Sequence, residues 1–559
     1  MTPKELRGQA DQLFTKRSNL MIFMQEVAEH FYPERADFTY MRSLGIDFAG
    51  DMMTSYPMMC RRELADQVGQ MLRPTDKEYA HIVPIDKRRQ DNDAQRWLEW
   101  AVGTQRRAMY DRRAQFSDAA KLGDNDFSAF GQCVTQITLN RTNEHLLFQN
   151  WHLRDVAWMH NADRTICMYA RKCKLTAIDM RRIFKGEIHQ DVARVLDGPN
   201  PEPFKEFPCY HIEVQSDLYE DGKKNNERMP WRSIWYDADH EKVMEDIPLP
   251  DNTYCVERWL KPGTSQYAFS PAVTCALPEA RLLQAMTFTL LEVGEKTANP
   301  PMIATEQAVR SDISVFAGGT TWVDREYDER MGDALRSMNI DAQGLPIGRE
   351  MQQESRAMIM QAFYLNKLNL PQRGTEMTAY EVGQRIQEYI RGALPIFEPM
   401  EAERNGQVWE KTFKLMYRHG AFGSALDMPK SLQAARGSMG LFKFEDVLQF
   451  QFESPLHDAI EASKGAKFIE SGQYVAAAVQ LDPASAALID VKEALRDVLQ
   501  GVKVPAKWVR NEVTVQQIEA QAAQAQQAQQ ALAAMQQGSE VVGNLATANK
   551  DNAMAAMPA

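Results

Sequence analysis

The sequence predicts an α+β chain, mainly helical, and three observations predict it. Apolar residues recur at helical spacing through the first 120 positions, the period falls to two between about 131 and 260, and from Ser270 to His419 the helical period returns in three runs. At 559 residues the chain exceeds what one hydrophobic core serves, so two to four structural units are expected.

In the N-terminal part, Leu20, Phe23, Met24, Val27 and Phe31 form a stripe closed by Pro33, and Leu64, Val68, Met71 and Leu72 a second closed by Pro74. From Lys87 to Arg113 eight Lys or Arg residues interleave with Trp97, Trp100 and acids including Asp91, Asp93, Glu99 and Asp111. Such mixed-sign runs support helix pairs, so a solvated helix face is expected rather than a DNA patch. Further on, Tyr210, Ile212 and Val214 alternate with His211, Glu213 and Gln215, and Tyr254 and Val256 with Cys255 and Glu257, as in strands joined by polar turns such as Glu220-Asp221-Gly222-Lys223.

Ser270-Pro271 supplies an N-cap and a first-turn proline for a helix with Leu283, Met286, Leu290 and Val293 on one face, ended by Asn299-Pro300-Pro301. Ile313 to Phe316 and Thr320 to Val323 flank Gly318-Gly319, a hairpin signal that is not followed by the helix N-terminus a phosphate loop needs. A second helix is expected from about Arg349 to Leu368, with Met351, Met358, Ala362 and Leu365 on its apolar side. Thr378 and Glu381 form a capping box for a third helix reaching about His419, about 60 Å long. Gly392, Pro395 and Pro399 predict a kink in it, because proline removes a backbone donor and crowds the preceding turn. Leu448, Phe450 and Phe452 read as a strand, and 456–510 as short helices broken at Pro483 and Pro505. Residues 516–537 hold ten Gln and eight Ala with only Ile518, Leu532 and Met535 as large apolar side chains, too few to bury a face.

Composition narrows the function classes. Hydrophobic content of 44% with 25% charged residues is that of a soluble globular protein, and no stretch approaches the roughly 20 apolar residues of a membrane span. Met1 to Gln12 lacks a signal-peptide core, which predicts synthesis in the cytoplasm. The seven cysteines form no CxxC or Cys/His cluster, so reduced, mostly buried thiols are expected in place of disulfides or structural zinc. A net charge of -12 argues against tight wrapping of nucleic acid, since phosphate affinity needs concentrated Lys and Arg.

Catalytic constellations are missing: the sequence carries no GxxxxGK[ST], HExxH, GxSxG or strand-linked GxGxxG. No catalytic residue, cofactor or metal ligand is therefore assigned, and the chain is expected not to be an enzyme. Asp237-Ala238-Asp239-His240 is the one group that could hold a divalent ion, but between Trp235-Tyr236 and Val243-Met244 those residue types also make a turn, the preferred reading. The scattered histidines read as structural, as none stands at nucleophile–base spacing from a Ser or Cys.

Four stretches carry a resemblance to the portal, or head-to-tail connector, proteins of short-tailed bacteriophages. They are Arg61-Arg62-Glu63-Leu64-Ala65-Asp66 leading to Met71-Leu72-Arg73-Pro74, Asn299-Pro300-Pro301, Gly374-Thr375-Glu376-Met377-Thr378-Ala379-Tyr380-Glu381-Val382, and Glu453-Ser454-Pro455-Leu456. The order helix, small segment, helix, loop, kinked helix between Ser270 and His419 is similar too, and the likeness extends over most of residues 1–510. It implies a portal fold: residues 1–130 the helical wing, 131–268 the β-rich wing, 269–299 and 347–368 the stem helices, 300–346 the clip and 369–377 the tunnel loop. Residues 378–420 would be the long kinked helix, 421–455 the wing strand region, 456–510 the crown and 511–559 a Gln/Ala-rich tail.

It further implies a closed ring, usually of twelve copies, at the unique portal vertex of the virion capsid, through which double-stranded DNA is packaged and ejected. The implied partners are the major capsid protein, scaffold, terminase motor, tail adaptor and internal core or ejection proteins, without stable membrane insertion. In such a ring Lys367, Gln372, Arg373 and Thr375 would face the DNA backbone, contacts that carry no base specificity. A phage scaffold or tail component without a DNA channel is the alternative, because fold analogy does not fix function.

Overall fold

The computed structural model describes residues 2–304, 322, 335–338, 344–368, 400–423, 428–433 and 448–452, apart from breaks at 44, 48–49, 51, 75–77, 87–91, 186 and 220–228, with scattered positions between 472 and 529. They fall into two compact units. The first is Met1–Tyr79 with Gln105–Leu415 and Phe452–Leu456, the second Ala80–Thr104 with Met416–Gln451 and His457–Ala559.

In chain order the elements up to residue 197 are α1 (Pro3–Lys16), α2 (Ser18–Phe31), α3 (Tyr56–Leu72), β1 (Ala80–Pro84), α4 (Asn92–Met109), α5 (Phe116–Phe130), β2 (Gln132–Leu139), β3 (Leu146–Trp151), β4 (Val156–His160), β5 (Ile166–Thr176), α6 (Ala177–Ile183) and α7 (Gln190–Asp197). There follow β6 (Glu206–Gln215), β7 (Trp231–Asp237), β8 (Lys242–Leu249), β9 (Tyr254–Arg258), α8 (Pro271–Ala298), β10 (Met302–Ala304), β11 (Leu335–Ser337), α9 (Gly344–Ala362), α10 (Leu365–Leu368), a helix at Gln407–Arg418 and β12 (Leu448–Phe452). The result is mixed α/β, with the strands concentrated where the period of two predicts them.

In the first unit, α1 is opened by a capping box in which Thr2 and Glu5 each bond the other's backbone N–H. Arg17 separates it from α2; its buried guanidinium donates to the carbonyls of Leu153, Arg154 and Val156. Both N-terminal stripes form core: Val27 and Phe31 of α2, and Leu64, Val68 and Leu72 of α3, are buried. Two antiparallel sheets follow, β3-β2-β9 and β4-β5-β6-β7-β8, with Ile212 of β6 between Ala170 of β5 and Ile234 of β7. Leu6, Ala10 and Leu13 of α1 cover one face of the larger sheet with Met168, Ala170, Ile212 and Val214.

The alternation on β6 does not separate core from water, because His211 and Glu213 are buried too. His211 lies 2.6 Å from the Tyr254 hydroxyl and 2.9 Å from Ser233 Oγ, and burial pushes its pKa well below the ordinary value. Glu213 accepts the Thr253 N–H at 2.8 Å and its hydroxyl at 2.5 Å, and burial, only partly offset by these bonds, pushes its carboxyl up to about 7. Polar residues at strand period here mark a hydrogen-bonded interior.

α8 starts at the predicted cap and stops before Asn299, but α9 opens at Gly344, earlier than Arg349. Pro346 sits in its first turn, where the missing N–H costs no helical bond. The apolar run does not carry helix unbroken to Leu368: the chain leaves α9 at Ala362, Tyr364 takes φ +58°, and α10 is a separate turn. The kink residues Gly392, Pro395 and Pro399, the Thr378–Glu381 cap and Gly318-Gly319 lie outside the described residues. From Glu401 to Gly406 the chain is π-helical before Gln407–Arg418 continues as α-helix.

In the second unit, β1 pairs with β12, and Trp97 and Trp100 of α4 meet the Phe422 ring edge-on at 6.3 and 6.4 Å. Within the mixed-charge run α4 is therefore a helix with one apolar side, Trp97 buried and Trp100 partly exposed. All seven cysteines are free thiols and five are buried.

Candidate assembly surface and its anchorage

The surface begins where α8 leaves the core. Ser270 Oγ caps the helix, accepting the Val273 N–H at 3.3 Å while donating to the Ser128 carbonyl at 2.7 Å. Gly131, at φ +70°, passes so close that an added Cβ would lie 2.0 Å from the Phe269 carbonyl carbon. A side chain there is excluded on both counts. From this clamp Ala272, Val273, Ala276, Leu277, Ala280 and Leu283 are buried, and no described residue of α8 after Leu283 is. The last 15 residues thus extend for about 22 Å beyond the buried part.

α9 runs antiparallel to that extension. Gln352 Nε2 donates to Thr287 Oγ1 at 2.9 Å, and Gly348 lies against Leu290, whose Cδ2 is 2.7 Å from where a Cβ would sit. Beyond the helices β10 and β11 pair antiparallel, Met302 opposite Ser337, which closes the hairpin as a ribbon the sequence reading did not contain. Leu282, Phe288 and Leu291 of α8 and Ile347, Met351 and Met358 of α9 remain exposed, Phe288 and Leu291 at 54% and 53%. Exposed apolar side chains on both helices of the hairpin make it the candidate interaction surface.

The helix after residue 400 is tied down by a buried ionic cluster. Arg404 donates to Asp124 Oδ1 at 2.6 Å, to Glu257 and toward Cys133 Sγ, and Arg73 pairs with the other Asp124 oxygen. Burial opposes the Arg404 charge, but Glu257, Cys133 and Asp124 outweigh it and raise the pKa. Glu257 is pushed up by burial despite Arg404. Asn405 Nδ2 donates to the Leu72 carbonyl at 2.7 Å, and Gln105 Nε2 to that of Trp409 at 2.8 Å. No spacing rule could have found this cluster, since Arg404 stands 280 positions from Asp124 and 147 from Glu257.

Of the residues expected to face DNA, Lys367 lies on α10, whereas Gln372, Arg373 and Thr375 fall outside the described residues. Asp237-Ala238-Asp239-His240 is the turn between β7 and β8, with Asp237 Oδ1 accepting the N–H groups of Asp239 and His240 at 3.1 and 3.2 Å. The geometry groups His240 with His189 and Asp191, residues the sequence reading did not connect, and leaves Asp239 out. Among the described residues no helix is long and apolar enough to cross a membrane.

Residues 3–510 match the family model described as bacteriophage head to tail connecting protein. A protein of Bordetella phage BPP-1 described as "Probable portal protein" is 26% identical over 261 residues, 46% of each chain. The "Portal protein" of Salmonella phage epsilon15 is 26% identical over 105 residues, 18% of this chain and 19% of that one. These matches span less than half the length of either relative. A chain in the virion structure of a native gene transfer agent particle aligns over 80% of this chain and 94% of its own, with 10% identity and a TM-score of 0.34. With the family model matched from residue 3 to residue 510, the chain belongs to the bacteriophage head-to-tail connecting protein family.

Proposed function

We propose that the protein is the portal subunit: copies associate side by side through the α8–α9 hairpin into a ring at one capsid vertex, and double-stranded DNA passes through it. The observation that carries this reading is the exposed apolar set Phe288, Leu291, Ile347 and Met351 on a hairpin whose base is fixed in the core. In a monomer that surface would face water; around a ring each hairpin covers its neighbour's.

In this reading α8 and α9 are the stem, the β10–β11 ribbon belongs to the clip, and Lys367 of α10 lines the channel with Gln372, Arg373 and Thr375 of the segment after it. A chain of net charge -12 offers a duplex little counterion-release affinity, so the DNA slides. Local cations then supply contacts with the phosphates, and a separate ATP-driven motor supplies the force. The ring, a dodecamer by the family's habit, meets capsid protein, scaffold, motor, tail adaptor and internal proteins in the virion. Light scattering with negative-stain microscopy of the purified protein tests the reading: a large closed ring with a central hole is expected, and a stable monomer at high concentration would sink it.

A further inference from the structure

We propose that His189, Asp191 and His240 form a zinc-type metal site that ties the start of α7 to the β7–β8 turn. One ligand atom from each of the three lies within 4.8 Å of the other two. His189 Nδ1 is 3.4 Å and His240 Nε2 3.8 Å from Asp191 Oδ2. A tetrahedral ion with bonds of about 2.0–2.2 Å sets neighbouring ligand atoms roughly 3.3–3.6 Å apart, close to the separation of Asp191 Oδ2 from each imidazole nitrogen. Two imidazoles and one carboxylate suit zinc; calcium or magnesium would want oxygen alone.

A buried carboxylate outside the ligand set already orients His240. Asp237 is fully buried, is held by two backbone N–H groups, and accepts the Nδ1–H of His240 on Oδ2 at 2.8 Å. That bond places the proton on Nδ1 and leaves Nε2, 3.8 Å from Asp191 Oδ2, with its lone pair for an ion, the carboxylate–histidine–metal arrangement. Arg194 takes Asp191 Oδ1 at 2.9 Å, which leaves Oδ2 for the ion, and its long exposed side chain is screened by water.

His189 must adjust. Its ring stacks on His240 at 4.2 Å and 14°, so the two lone pairs lie in nearly parallel planes and cannot both aim at one ion between the rings, and its Nδ1 accepts the Asp191 N–H at 3.3 Å. Binding trades that long capping bond for a metal bond by turning the partly exposed His189 ring out of the stack. The fourth position is left to water.

The test uses untagged full-length protein stripped with chelator, in a Cys275→Ser background that removes the one exposed thiol. Calorimetric titration with zinc ion is expected to give one site per chain, and cobalt ion a visible tetrahedral band. His189→Asn, which keeps a good helix cap, and His240→Asn should each abolish the band. Asp237→Asn should weaken zinc binding about 10–100-fold through the tautomer it fixes, while Asp239→Ala leaves it unchanged. Wild-type binding by folded His189→Asn, or less than one zinc per chain at saturation, would overturn the proposal.

Discussion

Arg404 Nη2 donates to Asp124 Oδ1 at 2.6 Å across 280 positions of chain, inside a core where both side chains are almost wholly hidden from water. With Glu257 and Arg73 the cluster balances two cations against two carboxylates. Each charge is tolerable only because the others are present.

Arg404→Met therefore leaves Asp124 and Glu257 short of a partner, and a loss of about 3–5 kcal/mol is expected in chemical denaturation. Arg404→Lys, which keeps the charge but not the fork, should fall between. A stability within about 1 kcal/mol of wild type for the Met variant would show the cluster to be incidental.

Gly131→Ala places a methyl into the Phe269 backbone at a left-handed φ. The conformational cost alone is about 1–2 kcal/mol, and the clash displaces the base of α8. A lowered melting temperature with weakened assembly is the expected pair of results. An unshifted melting curve would mean that α8 is not clamped there.

Phe288→Glu with Leu291→Glu puts two charges on the exposed hairpin face without touching buried residues. Rings should give way to monomers in light scattering while the circular dichroism spectrum is retained. Intact rings would place the subunit contact elsewhere.

Arg373→Glu is expected to reduce DNA packaging or retention and leave ring assembly intact. Loss of assembly instead would move Arg373 from the channel to a subunit contact.

Glu213 gives a pH dependence. The unfolded chain releases its proton near 4.5 and the folded chain holds it up to about 7, because the site is buried. Between those values the folded state binds more protons, so stability is full below about 4.5 and falls as pH rises through 7, by roughly 3 kcal/mol at most. Glu213→Gln should flatten that part of the melting-temperature profile from pH 5 to 8. A profile unchanged by the substitution would assign the dependence to other groups.

What the sequence by itself determined is what a few neighbouring residues decide. Ser270 and Pro271 start α8 and Asn299 stops it, because a cap bond and a proline's missing N–H act within one turn. The turn at Asp237 was legible for the same reason: an aspartate folds the two residues after it onto its own oxygen. The apolar stripes of α2 and α3 were legible because burial follows helical period. Only the tertiary structure decided that Glu257 meets Arg404, that His211 and Glu213 are interior, that α9 ends at Ala362, and that His240 turns to His189 and not Asp239. Each of these depends on which distant surface arrives to desolvate the group, and desolvation is set by the packing of whole sheets and helices, which leaves no mark on local spacing.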